Sequence, residues 1–204
     1  MTQPSVTLRD ANPSYVEGCV FARYLDEIAP FYRVMLGRRV VRTIATAFVQ
    51  PGHDLSYQNT IFAECDGSVA GMISGYAINQ YRGSVRPPLR EALAGRALRM
   101  RIMEILMARQ QWFLGTFCNG DFYVQGIAVS EDLRSRGIGS TLMEEMERRA
   151  RAAGSKRLVL NVTAKNQVAR RFYSQRGMTV EAGWPKLPFV PRLILRMAVP
   201  LSVK

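Results

Sequence analysis

The chain has 204 residues, of which 48% are hydrophobic; that suits one well-buried domain, is short for two, and excludes a disordered chain. No run of about 18 uncharged apolar residues occurs, so no membrane-spanning helix is expected, and the N-terminus lacks the basic-then-apolar pattern of a signal peptide. The formal charge of +12 comes from 24 Arg and 4 Lys spread along the chain; no nucleic-acid motif accompanies it, so no nucleic-acid partner is expected, although part of the excess suits a ligand with several phosphates.

In chain order, Val6–Arg9 is a candidate first strand. Asn12-Pro13 offers an N-cap and first-turn pair for a helix running to Ile28. After Pro30 a second helical stretch covers residues 31–48, with a break expected at Gly37. The polar loop 50–59 holds the only histidine, His53, which is read as exposed. Thr60–Cys65 and Ser68–Tyr76 flank Asp66-Gly67, a strong two-residue hairpin signal. Residues 81–115 turn helical and basic, with seven Arg against Glu91 and Glu104. Cys19, Cys65 and Cys118 are odd in number, far apart and without metal-ligand spacing. Three reduced cysteines, a cytoplasmic location and no metal are therefore expected.

Tyr123–Val129 reads as a buried strand, and Ile138, Leu142, Met143, Met146 and Ala150 fall on one face of a following helix. On its other face Glu144, Glu145 and Glu147 stand four residues before Arg148, Arg149 and Arg151, the spacing of an exposed charged surface. Between strand and helix lies Arg134-Ser-Arg-Gly-Ile-Gly139. Such a turn presents free backbone N–H groups and the positive end of a helix dipole to one point, which suits a phosphate. Arg134 and Arg136 add positive charge beside it. The absence of any Gly-Lys pair excludes a Walker A loop, and Leu142 stands where a dinucleotide fingerprint needs its third glycine. Taken alone, the segment also fits an ordinary connection that needs small residues. After Gly154, a helix-ending residue, Arg157–Val162 reads as a strand. Asn166, Ala169, Phe172, Tyr173, Gly177 and Met178 follow, then closing strands at Thr179–Ala182 and Leu193–Val199.

The two segments Arg134-Ser-Arg-Gly-Ile-Gly139 and Asn166-Gln-Val-Ala-Arg-Arg-Phe-Tyr-Ser-Gln-Arg-Gly-Met178 resemble the GNAT superfamily of acyl-coenzyme A-dependent N-acyltransferases. That family shows Arg/Gln-x-x-Gly-x-Gly/Ala after a strand, and later Asn-x-x-Ala-x-x-aromatic-Tyr-x-x-x-Gly-Phe; Met178 replaces the last Phe. The resemblance covers residues 121–178 and implies a single domain over 1–204. Its class would be α+β (an α/β three-layer arrangement), with a central mixed, mostly antiparallel sheet of about seven strands flanked by helices. Residues 121–178 would form the coenzyme-binding core. Residues 81–115 would be a helical insertion between the third and fourth strands, serving as an acceptor-side lid, a homodimer surface, or a mere cover for the core.

The same resemblance implies acetyl-CoA or another short acyl-CoA as co-substrate and an amine as acceptor. Ile127, Ala128 and Val129 would pair with the pantetheine arm, and a bulge there would splay the strand from its neighbour near Leu160–Val162. Arg134, Ser135, Arg136, Gly137, Ile138, Gly139 and Ser140 would wrap the pyrophosphate. Asn166, with Ala169 one turn on, would reach the coenzyme from the opposite wall. Tyr173 would protonate the leaving sulfur or simply shape the pocket, while Phe172 packs into the core. Many relatives carry a Glu where Gln125 stands, and an amide cannot accept a proton at neutral pH. Gln125 is therefore expected to orient the amine or a water. Tyr123, Glu64, Glu104 and Asp121 stay unranked as bases. The missing carboxylate also leaves open a module that senses acyl-CoA with little turnover.

Overall fold

The computed structural model describes residues 6–29, 31–80, 116–186 and 189–201. The expected insertion at 81–115, with Glu91 and Glu104, lies outside the described residues. In chain order the elements are β1 (Val6–Asp10), α1 (Tyr15–Ile28), α2 (Phe31–Leu36), α3 (Val40–Phe48), β2 (Thr60–Cys65), β3 (Ser68–Ala77), β4 (Asp121–Val129), α4 (Ile138–Ala152), β5 (Arg157–Thr163), α5 (Gln167–Ser174), β6 (Thr179–Trp184) and β7 (Ile194–Pro200). The strands form one seven-stranded sheet in the order β1-β2-β3-β4-β5-β7-β6. Every neighbouring pair is antiparallel except β4–β5, which is parallel.

Local chemistry sets the element ends. Helix α1 begins at Tyr15, two residues later than the expected Asn12-Pro13 start, with Ser14 as its cap. The Ser14 Oγ accepts from the Glu17 N–H at 3.3 Å, and Glu17 reaches back to accept from the Asn12 N–H at 2.7 Å. Ser14 thus satisfies one orphan helix donor, and Glu17 ties Asn12 back onto the first turn, so Asn12 serves as an anchor rather than as the cap. Gly37, at φ +61°, breaks the second helical stretch into α2 and α3. Asp66 and Gly67 both take positive φ, as the tight β2–β3 turn requires. Helix α4 ends where the Ser155 N–H donates to Ala150 O and the Gly154 N–H to Arg151 O, a Schellman closure.

The sheet is sandwiched between two apolar layers. On one face the buried α4 residues Ile138, Leu142, Met143, Met146 and Ala150 pack on Ile73, Phe122, Val124, Leu158 and Leu160. On the other, Phe21, Leu25, Ile44 and Phe48 of α1 and α3 cover Phe62 and Met72. Each such buried side chain contributes about 1.5–3 kcal/mol. The outer face of α4 carries Glu145–Arg149 (2.9 Å) and Glu147–Arg151 (3.7 Å) pairs, but Arg148 turns to Glu145 and Glu144 to Arg176. No helix among the described residues is long and apolar enough to cross a membrane.

His53 departs from its reading as exposed: it is 4% accessible. Its Nδ1 accepts from the Leu55 N–H at 3.1 Å, which leaves Nε2 to carry the proton and donate to Ala47 O at 2.9 Å. The ring organises a buried loop.

Candidate active site

Strand β4 is paired on both edges only in its first half. Asp121–Val124 register with Arg157–Leu160 of β5, and there the parallel ladder stops. Both strands continue: β4 stays paired with β3 as far as Val129, and β5 with β7 as far as Thr163. The β3–β4 register shifts between Ser74 and Gly75, which pair with Gly126 and Val124, so Gln125 is the extra residue of a bulge. The bulge bends β4 away from β5. A slot opens between Gln125–Val129 on one side and Asn161–Thr163 on the other. Among the described residues, Ile127, Ala128 and Val129 thus have a strand along one edge and none along the other. The Gln125 side chain is anchored by the Ser74 hydroxyl, which donates to its Oε1 at 3.2 Å.

The slot leads to the β4–α4 loop. Ser135 and Gly137 both have positive φ, +63° and +85°, and Gly137 is the residue on which α4 starts. Nothing lies within 4 Å of where a Gly137 side chain would begin, so its requirement is conformational rather than steric. Among the described residues, the amides of Ser135 through Gly139 donate to no protein acceptor, and the first closed bonds of the turn run from Ser140 and Thr141 to Gly137 O. Ser135, Arg136 and Gly137 are exposed, Gly139 and Ser140 half-buried, and Ile138 is turned into the core. Arg134 does not extend toward the loop mouth; its Nε donates to Val129 O at 3.1 Å and fixes the strand end. An open groove of about 420 Å³ borders the loop, lined by Ser140, Glu147, Phe172, Gln175 and Arg176.

The far wall is α5. Asn166 is its N-cap: Oδ1 accepts from the Ala169 N–H at 3.0 Å, so at least that oxygen is committed to the helix. Tyr173 is buried in the α4-side core, while Phe172 is only half-buried, beside Gly139 and under the Arg176 guanidinium at 5.2 Å. That order reverses the expectation that Phe172 would be the core residue of the pair. Burial, with the nearby Tyr123 phenol adding to it, pushes the Tyr173 hydroxyl well above its ordinary value. The group is therefore protonated across the neutral range.

A scan of family models matches residues 23–178 to the acetyltransferase (GNAT) family. The chain belongs to the GNAT acetyltransferase family. Solved structures carry the same fold at low identity. One acetyltransferase is 22% identical with a TM-score of 0.67, covering 96% of this chain and all of its own. An N-acetyltransferase from Staphylococcus aureus Mu50 is 16% identical at 0.63, covering 95% and 100%. The ribosomal-protein-S18-alanine N-acetyltransferase from Escherichia coli is 14% identical at 0.55, covering 98% and 96%. No match was found among curated proteins.

GNAT proteins use acetyl-CoA as co-substrate, and the described residues fit one: a strand edge with no strand beside it, then main-chain donors at Ser135–Gly139 without acceptors among them. Of the four candidate bases, Asp121 is 2% exposed and held by Arg157 in a two-pronged pair at 2.8 and 3.0 Å, with the Cys118 N–H donating as well. Glu64 is paired with Arg9 at 2.6 Å. Tyr123 packs against Phe117 and Tyr76 near the slot. Glu104 lies outside the described residues. Two residues without a sequence signal join this face. Asn161, the first β5 residue past the ladder, has a buried Nδ2 with no hydrogen-bond partner among the described residues. Arg196 of β7 is 4% exposed, donates to the Asn161 and Thr116 oxygens, and lies 4.2 Å from the Phe117 ring. Only the register that brings β5 beside β4 and β7 assembles them.

Proposed function

We propose that this chain acts as a single domain over 1–204 and transfers an acetyl or other short acyl group from acyl-CoA to a primary amine. The acceptor would be a small molecule or a protein or peptide amine, attacking directly in a ternary complex. The observation that carries this reading is a pair of main-chain stretches that lack partners among the described residues: the edge of Ile127–Val129 beyond the β5 ladder, where only Val129 O is taken by Arg134, and the amides of Ser135–Gly139. An extended pantetheine arm satisfies the first, and a pyrophosphate the second.

The chemistry then divides among named groups. Backbone N–H donors in the open half of β4 stabilise charge developing on the acyl oxygen. The protonated Tyr173 hydroxyl supplies the proton to the departing thiolate. The amine arrives from the face bearing Tyr123, Asn161 and Gln125, whose amides orient it without taking its proton. The buried Asn161 Nδ2 favours a bound polar group there, because an unpaired buried donor costs about 1–3 kcal/mol. Asp121 and Glu64 are spent in ion pairs, which leaves Tyr123, a water relay or an amine already neutral to account for deprotonation among the described residues.

A thermal-shift series with acetyl-CoA, propionyl-CoA and free CoA, followed by an amine panel with thiol detection, tests the reading. Stabilisation by acyl-CoA and amine-dependent thiol release are expected. Tight binding with no release from any amine would favour an acyl-CoA sensor instead, and no stabilisation at all would overturn the coenzyme site.

A further inference from the structure

At the closed end of the slot, one wall comes from α1 rather than from the sheet. Val124 and Ile127 are three positions apart, yet both pack into the α4-side core. The bulge therefore turns the two residues between them, Gln125 and Gly126, toward α1. A side chain on Gly126 would overlap the Ile28 Cδ1. Ile28 thus fills, from the end of α1, the volume that residue 126 leaves empty. It is an apolar side chain 36% exposed, and it is held in place. One turn earlier, the Tyr24 hydroxyl is 2.7 Å from the Ser130 Oγ just past the end of β4. Asp26, 6% exposed, is clamped by Arg33 of α2 just beyond the helix end. The underside of α1 meets α3 so closely that a Cβ on Gly18 would lie 2.8 Å from Ala45 O.

We infer that Ile28 is the specificity residue that sets the size of the transferred acyl group. This rests on the acyl-CoA reading above. A thioester entering along Val129 toward Gly126 stops where the ladder closes at Val124–Leu160, and its acyl tail then meets the Ile28 methyls. A short tail fits in front of that wall; each added methylene must displace it. A hydrophobic pocket discriminates by roughly ten- to two-hundredfold per methylene.

Calorimetric titration of the full chain with acetyl-CoA and butyryl-CoA, needing no acceptor, tests the proposal. The wild type should prefer acetyl-CoA. Ile28→Ala should raise the butyryl-to-acetyl affinity ratio by about tenfold or more, and Ile28→Val should fall between. An unchanged ratio in an Ile28→Ala protein that still binds acetyl-CoA overturns the role of Ile28 and leaves the function standing. A wild type that binds neither thioester overturns the acyl-CoA reading, and this inference with it.

Discussion

The first half of β4, Asp121–Val124, and the second, Gln125–Val129, share a strand but not an environment. The first has strand partners on both edges from Phe122 to Val124 and is pinned at its start by the Asp121–Arg157 pair. Among the described residues, the second has no strand along its far edge and leads into a turn whose Ser135–Gly139 amides have no acceptor. One inserted residue, Gln125, separates them. The contrast shows how little local change turns structural backbone into binding backbone: hydrogen-bonding capacity is constant along a strand, and only its partner changes.

Substitutions can break that contrast, and their effects should scale with the half they strike. The largest belongs to Gly137→Asp, which combines a side chain at φ +85° with a negative charge facing the expected phosphates. It should abolish coenzyme binding in calorimetry while the thermal midpoint falls by only a few degrees, the cost of a side chain at positive φ. Unchanged affinity would remove the loop from the site. Asp121→Ala strikes the closed half and should cost about 3 kcal/mol in denaturant unfolding. That is the low end for losing one partner of a buried ion pair, because Arg157 retains Glu181 at 2.8 Å. Tyr173→Phe should lower kcat by about a hundredfold with the coenzyme dissociation constant unchanged; equal rates would sink its role as acid. Glu145→Gln, on the outer face of α4, marks the background. Hydrogen bonds from Arg148, then Arg149, hold the Glu145 carboxyl at about 2, below its ordinary 4.5. The pair therefore stabilises the fold above pH 4.5 and loses that contribution as pH falls toward 2. Being solvent-screened, it should be worth less than about 1 kcal/mol, and the mutant and wild type should converge in acid.

The open half was the more legible one. A positive-φ glycine, an apolar strand before it and an amphipathic helix after it are local requirements, and local requirements leave a fixed spacing. The same holds for Asp66-Gly67 and for the break at Gly37. Asn166 was legible only as a motif position; its oxygen serves the helix it begins, a local task that spacing alone does not reveal. What stayed hidden depends on register between distant segments. Ile28 acquires meaning from Gly126, and Asn161 from the point where one ladder ends. Arg196 does so from neighbours on β5 and before β4. His53 was misjudged because polar neighbours in sequence say nothing of the α3 end and the loop that enclose it.

The enclosure of His53 has a kinetic consequence. With one ring nitrogen donating to Ala47 and the other accepting from Leu55, the chain's sole imidazole has no lone pair to lend to chemistry and cannot serve as the base. If amine attack limits turnover, the rise of velocity with alkalinity would trace the titration of the acceptor's own ammonium. The curve would then become a fingerprint of the unknown nucleophile, readable before its identity is known.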